Sequence, residues 1–234
     1  MKSIMLLLFL ISPLREVVDL QLTIPTHQHD IFCNYSNDNF TQEVFYDALK
    51  DRMTAHIKNS NFFALNLNFR IFPEVKFIAS LSPLMREMVR NLLDNSITFK
   101  SYFEKISFFL EGQITYSEEN LPQDPLSVIL NKKANCVGYS NVVQMLLHAA
   151  GIKNTIVKGF YLQKDPSQRR ENLLIPIPHR WVEIYLPNGV KFFYDPQHQE
   201  FSSNYLTTKN DVDFKQVKKF KVNIIKKSKK MINQ

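Results

Sequence analysis

Three residues of this 234-residue chain are of the types that together break or make an amide bond: Cys136, His179 and Asp195. A thiolate attacks a carbonyl carbon, an imidazole takes the thiol proton and later hands one to the leaving group, and a carboxylate holds that imidazole in one tautomer. The stretch from Asn131 to Gly151 reads as a polar loop feeding a helix, with Cys136 in its first turn. Asn135 is placed to cap that helix and Gly151 falls where a left-handed C-cap would. Tyr139, Val143, Leu146, Leu147 and Ala150 recur at threes and fours, which gives the helix one buried stripe. At a helix N-terminus the unpaired amides present partial positive charge, and this favours the thiolate. Taken alone the signal is weak, because a lone cysteine on an apolar helix is most often an inert core residue. Partners decide the matter.

The partners lie in the run from His179 to Pro196, where two apolar-rich segments flank Pro187-Asn188-Gly189. Register decides whether they can meet. With a two-residue turn at Asn188-Gly189, Asp195 would pair with Val182 and face away from His179. With a three-residue loop closed by a left-handed glycine, Asp195 pairs with Trp181 and lies diagonal to His179 on one face, at the roughly 7 to 8 Å typical of diagonal neighbours. The second register is preferred. It puts Val182, Ile184 and Leu186 on one apolar face with Val190, Phe192 and Tyr194, whereas the first would bring Lys191 into it. Proline, asparagine and glycine also fit the three loop positions in that order.

The order Cys136, His179, Asp195, set within "NCVGYSNVVQMLLHAAGI", "VKGFY", "HRWVEIYLPNGVKFFYDP" and the upstream "ISFFLEGQITYSEE", resembles the core of the transglutaminase-like superfamily over roughly residues 83 to 200. The resemblance implies an α+β, papain-like fold, with the nucleophilic cysteine at a helix N-terminus packed on an antiparallel sheet and a β-rich region before it. It implies a Cys-His-Asp triad and acyl transfer on a protein or peptide substrate. No metal or other cofactor is implied, and the acidic clusters that hold calcium in animal transglutaminases have no counterpart here. Three readings stay open: a cysteine hydrolase of peptidase or amidase type, a true transglutaminase passing the acyl group to a lysine amine, and a non-catalytic binding domain keeping the fold. Tyr116 is either a wedge between helices or a wall of the active-site cleft. Trp181 is either a cover over the histidine that touches substrate or a core aromatic.

The length admits one large or two small domains with a real core, and 44% hydrophobic residues with 19 Phe describe a folded globular chain. The formal charge of +7 resembles a nucleic-acid signal until it is located: residues 215–234 hold eight lysines and no acid, which accounts for the whole excess. That segment is expected to be a final strand, carrying Phe220, Val222 and Ile224, followed by a solvated lysine tail able at most to touch an anionic surface. No nucleic-acid motif accompanies it. Met1-Lys2 and the run Ile4 to Ile11 have the form of a secretory signal too short to span a bilayer, so residues 1–19 are expected to be a signal peptide or apolar N-terminal segment. A secreted, periplasmic or cell-envelope setting follows from that expectation, with a cytoplasmic one as its alternative. A Cys33 to Cys136 disulfide would cap the nucleophile and is not expected.

A β-rich region over 20–81, a catalytic domain over 82–214 and the strand and tail over 215–234 complete the expected organisation. Leu65, Leu67, Phe69 and Ile71 alternate with polar residues as in a half-buried strand, and Gln42 to Ile57 has the pattern of a helix. His27 and His29 would share a strand face, without a third metal ligand nearby. His56 and His198 show no partner pattern. Helices are expected from Pro83 to Leu93, from Phe99 to Gly112 and after Asp124-Pro125, and a strand from Asn154 to Leu162 ahead of a polar loop, Lys164 to Asn172.

Overall fold

The computed structural model describes residues 14–60, 67–94, 96, 98–164, 172–201 and 205–231, so the apolar run from Ile4 to Ile11 and most of the loop after Lys164 lie outside the described residues, whereas residues 14–19 of the expected N-terminal segment are described and belong to a strand. In chain order the first elements are β1 (Leu14–Thr23), a 3-10 turn (Thr26–Ile31), β2 (Tyr35–Ser36), β3 (Phe40–Asp47) and β4 (Arg52–Ser60). Then come α1 (Val75–Ser80), α2 (Pro83–Leu93), α3 (Phe99–Gln113), β5 (Thr115–Tyr116), α4 (Pro125–Asn131), β6 (Lys133–Ala134) and α5 (Cys136–Ala149). The chain ends with β7 (Lys153–Lys164), β8 (Leu173–Tyr185), β9 (Lys191–Tyr194), β10 (Tyr205–Thr207) and β11 (Lys221–Met231). Two compact units interleave along it: residues 1–65, 158–179 and 201–234 form one, and residues 66–157 and 180–200 the other.

The first unit is a sheet with strand order β10-β7-β8-β11-β1-β4-β3-β2. Two expectations change here. Gln42 to Ile57 is no helix: β3 and β4 form an antiparallel hairpin from Phe40↔Asn59 to Asp47↔Arg52. Met53, Ala55 and Ile57 are buried at every second position, a period of two that short aromatic and β-branched runs sustain once a sheet accepts them. The turn is closed by Asp47, whose Oδ1 accepts from the Leu49 and Lys50 amides, and by Asp51 at φ 45°, a left-handed position that aspartate tolerates. The lysine-rich end is likewise no free tail. β11 is the expected final strand; it pairs with β8 only at Val222 and Asn223, while its lysines lie along β1, Lys229 opposite Glu16 and Lys226 opposite Asp19, and the Lys227 ammonium meets the Glu16 carboxylate. His27 and His29 fall in the 3-10 turn rather than on a strand, where His29 donates from Nε2 to the Ile24 carbonyl (3.2 Å) and lies 4.1 Å from the Tyr46 ring. His56 does have a partner, the Asp19 carboxylate across the β1–β4 pair.

The second unit holds the helices. α2, α3 and α4 begin at Ser82, Thr98 and Asp124, each side chain accepting an amide from the first turn, and Pro83 and Pro125 start their helices where no amide is needed. Of the strand expected through Leu65, Leu67, Phe69 and Ile71, Leu65 lies outside the described residues, and from Leu67 to Ile71 no strand forms. Leu67 and Phe69 instead turn their carbonyls to the Lys100 and Phe99 amides, satisfying donors at the start of α3 that have no intrahelical acceptor. Buried Phe99, Phe103, Ile106 and Leu110 make the inner side of α3, and the Tyr102 hydroxyl donates to the Leu146 carbonyl of α5 (2.8 Å). Among the described residues no helix is long and apolar enough to cross a membrane.

Candidate active site

Cys136 is the first residue of α5 and is half-buried. Asn135 caps the helix, its side chain accepting from the Val137 amide (2.9 Å). The approach is held by Gln123, whose Oε1 accepts from the Asn135 amide (3.0 Å) and whose carbonyl accepts from the Asn141 side chain (2.9 Å). Gly138 permits this closeness: a Cβ there would stand 2.8 Å from Val128 Cγ2 and 2.9 Å from Ala134 Cβ, and would run into Gln123 Oε1. One turn after Cys136, the Ser140 hydroxyl donates to the Arg180 carbonyl of β8 (3.2 Å), so the cysteine end of the helix is tied to the residue that follows His179. Gly151 takes the left-handed position (φ 73°) just past the end of α5.

β5 and β6 pair in parallel, Tyr116 opposite Ala134, two residues before the cysteine. Tyr116 is no helix wedge. It is 48% exposed and its hydroxyl donates to Glu118 Oε1 (3.0 Å). Partial desolvation, then the Glu118 carboxylate and the neighbouring Cys136, raise its phenol above the ordinary tyrosine range.

The β8–β9 hairpin has the three-residue loop. Leu186 and Val190 close it, Gly189 takes φ 86°, and Val182 pairs with Tyr194 and Ile184 with Phe192. Continuing that register sets Asp195 opposite Trp181, with His179 two residues earlier on β8. The Val182, Ile184, Phe192 and Tyr194 face is buried as expected. The other face is also closed. Trp181 has 0% of its surface exposed and meets Phe193 edge-on at 5.6 Å, the surroundings of a core aromatic.

His179 is 4% exposed, stacked parallel to Tyr205 at 6.1 Å and tilted to Tyr161 at 5.8 Å. These two tyrosines escaped the sequence reading, since nothing local joins them to the histidine. Asp195 is wholly buried. Its Oδ1 accepts from the amides of Gln197 (2.9 Å) and His198 (3.3 Å), and its Oδ2 accepts from His198 Nδ1 (2.6 Å). The turn is closed by reciprocal backbone bonds between Asp195 and Glu200, with Gln199 left-handed at φ 55°. His198 was therefore missed as a partner of the carboxylate; an Asp followed three residues later by a histidine after a proline is the signal that could have shown it. Both cysteines are free thiols.

The site thus defines a protein with a thiol at a capped helix start and, on a neighbouring strand pair, a buried carboxylate in a self-capping turn. Residues 84–196 match the model of the transglutaminase-like superfamily, and the chain carries a transglutaminase-like core there. Its fold of helices with a large antiparallel sheet and a β-rich N-terminal region is the transglutaminase-like one. No curated protein matches the sequence significantly. Among solved structures, the chain is similar to a proposed cysteine protease from Cytophaga hutchinsonii (10% identity, TM-score 0.49, covering 93% of this chain and 88% of that one). It is also similar to the periplasmic domain of TgpA from Pseudomonas aeruginosa (10% identity, TM-score 0.44, 78% and 88% covered).

Proposed function

We propose that the chain is a transglutaminase-like cysteine hydrolase that cleaves an amide in a protein or peptide through a thioester on Cys136, with His179 and Asp195 completing a triad. The observation that carries this reading is the placement of Cys136 as the first residue of a helix whose next turn is bonded, through Ser140, to the strand residue following His179. The helix start favours the thiolate electrostatically. The thiolate attacks the carbonyl carbon, and the oxyanion takes a hydrogen bond from the Cys136 amide, one of the helix-start donors without an intrahelical acceptor. His179 then protonates the departing amine. In the second half it removes a proton from water, which attacks the thioester and frees the thiolate. Asp195, fixed by the hydrogen bonds of its own turn, holds the imidazole in the tautomer that faces the sulfur. Tyr116, exposed beside the cysteine, forms one wall for the substrate.

Hydrolysis is preferred over transfer to an amine because water is the abundant acceptor. A secreted, periplasmic or cell-envelope setting is part of this proposal and is supported by the signal-like pattern of Met1-Lys2 and the apolar run Ile4 to Ile11. The test is proteomic: wild type and Cys136→Ala are incubated with a proteome, new N-termini are counted, and incorporation of a labelled amine into glutamine is followed in parallel. New termini only with wild type support the hydrolase; amine incorporation without new termini replaces it with a transglutaminase.

A further inference from the structure

We propose that His198 is a positioning residue that holds the Asp195 carboxylate in its working orientation, so that one buried carboxylate serves two imidazoles. This deepens the triad reading above and rests on it. A carboxylate can only accept, so at 2.6 Å from Asp195 Oδ2 the His198 Nδ1 must carry the hydrogen. Rotation of the carboxylate is blocked from both ends. Two backbone amides, those of Gln197 and His198, fix Oδ1, and the imidazole fixes Oδ2. An oxygen has room for two donors, so the bond from His198 leaves Oδ2 able to take the one that the catalytic imidazole brings. The His198 backbone is itself locked by the closed Asp195–Glu200 turn, and its ring is 29% exposed at the side chain while the carboxylate beneath it has no exposed surface. Without that ring, water would reach a carboxylate that is otherwise desolvated, and the field it exerts on the catalytic imidazole would fall.

The test reads the Cys136 thiolate directly, in the full chain with Cys33→Ser so that a single thiol reports. Alkylation rate by iodoacetamide is followed against pH in four proteins: this background, and the same with His179→Ala, His198→Phe or His198→Asn. The Asn amide can donate from nearly the place of Nδ1, and Phe keeps the ring shape without the donor. In the His198→Phe protein, alkylation at neutral pH is expected to drop about tenfold, the low end of what losing an orienting partner costs, with its pH profile displaced toward that of His179→Ala. In the His198→Asn protein it is expected to stay within about threefold of the background; this rescue, with thermal melting, separates positioning from simple support of the turn. If His179→Ala changes the profile and His198→Phe does not, or if Asn fails as badly as Phe, the inference is overturned and the triad stands. If His179→Ala leaves the profile unchanged, the triad reading falls and takes this inference with it.

Discussion

The two ends of the candidate site are built in opposite ways. Cys136 is placed by a regular element: a 14-residue helix, an Asn cap, a close approach that only a glycine at 138 allows, and a carbonyl partner for Ser140. Asp195 is placed by an irregular one, a six-residue turn that it caps with its own carboxylate and that needs a left-handed glutamine at 199. The role proposed for Cys136, a nucleophile that meets substrate, needs direction and exposure, which a helix start supplies. The role proposed for Asp195, orienting an imidazole, needs burial and donors that fix the carboxylate while leaving it room to accept one more, which a turn folded round it supplies.

Substitutions break this contrast in order of size. Trp181→Ala removes a fully buried ring opposite Asp195 and is expected to cost about 3 to 5 kcal/mol in denaturant unfolding. Gly138→Ala, at the cysteine end, forces Val128 and Ala134 aside and is expected to cost about 1 to 3 kcal/mol by the same measurement, and to slow Cys136 alkylation because the helix start must shift. At the carboxylate end Gln199→Gly relieves a left-handed side chain and is expected to change stability by no more than about 1 kcal/mol. If Gln199→Gly destabilises more than Gly138→Ala, the contrast is reversed.

The smallest effect is one of pH. The Asp124 carboxylate caps α4, and the hydrogen bonds from Ser127 hold its pKa below the usual carboxylate range. A depressed folded value gives stability that is present above the unfolded pKa of about 4 and fades as pH falls through the folded one. Thermal melting of wild type against Asp124→Asn is therefore expected to show a small wild-type advantage at neutral pH that vanishes in acid.

What the sequence made legible follows the same divide. Cys136, its Asn135 cap, the Pro83 and Pro125 helix starts and the hairpin register are local: caps, turn residues and period-two faces lie within a few positions of one another. The Gln42–Ile57 segment was misread because its apolar spacing fits a helix as well as a strand, and only sheet partners on β1 decided it. Lys226 and Lys227 of β11 are exposed as expected, but that they continue a paired strand was not legible, because their strand partner β1 lies some two hundred residues away. His198 and the tyrosines around His179 depend on a turn and on strand neighbours that no short pattern announces.

The measurement that bears most directly on the central claim is the rate of Cys136 alkylation by iodoacetamide near neutral pH, in the Cys33→Ser chain, beside the same chain with His179→Ala and beside a free thiol of ordinary pKa. An activated thiolate alkylates faster than the free thiol and loses that advantage when the imidazole is removed. A rate no faster than the free thiol, unchanged by His179→Ala, would contradict the account.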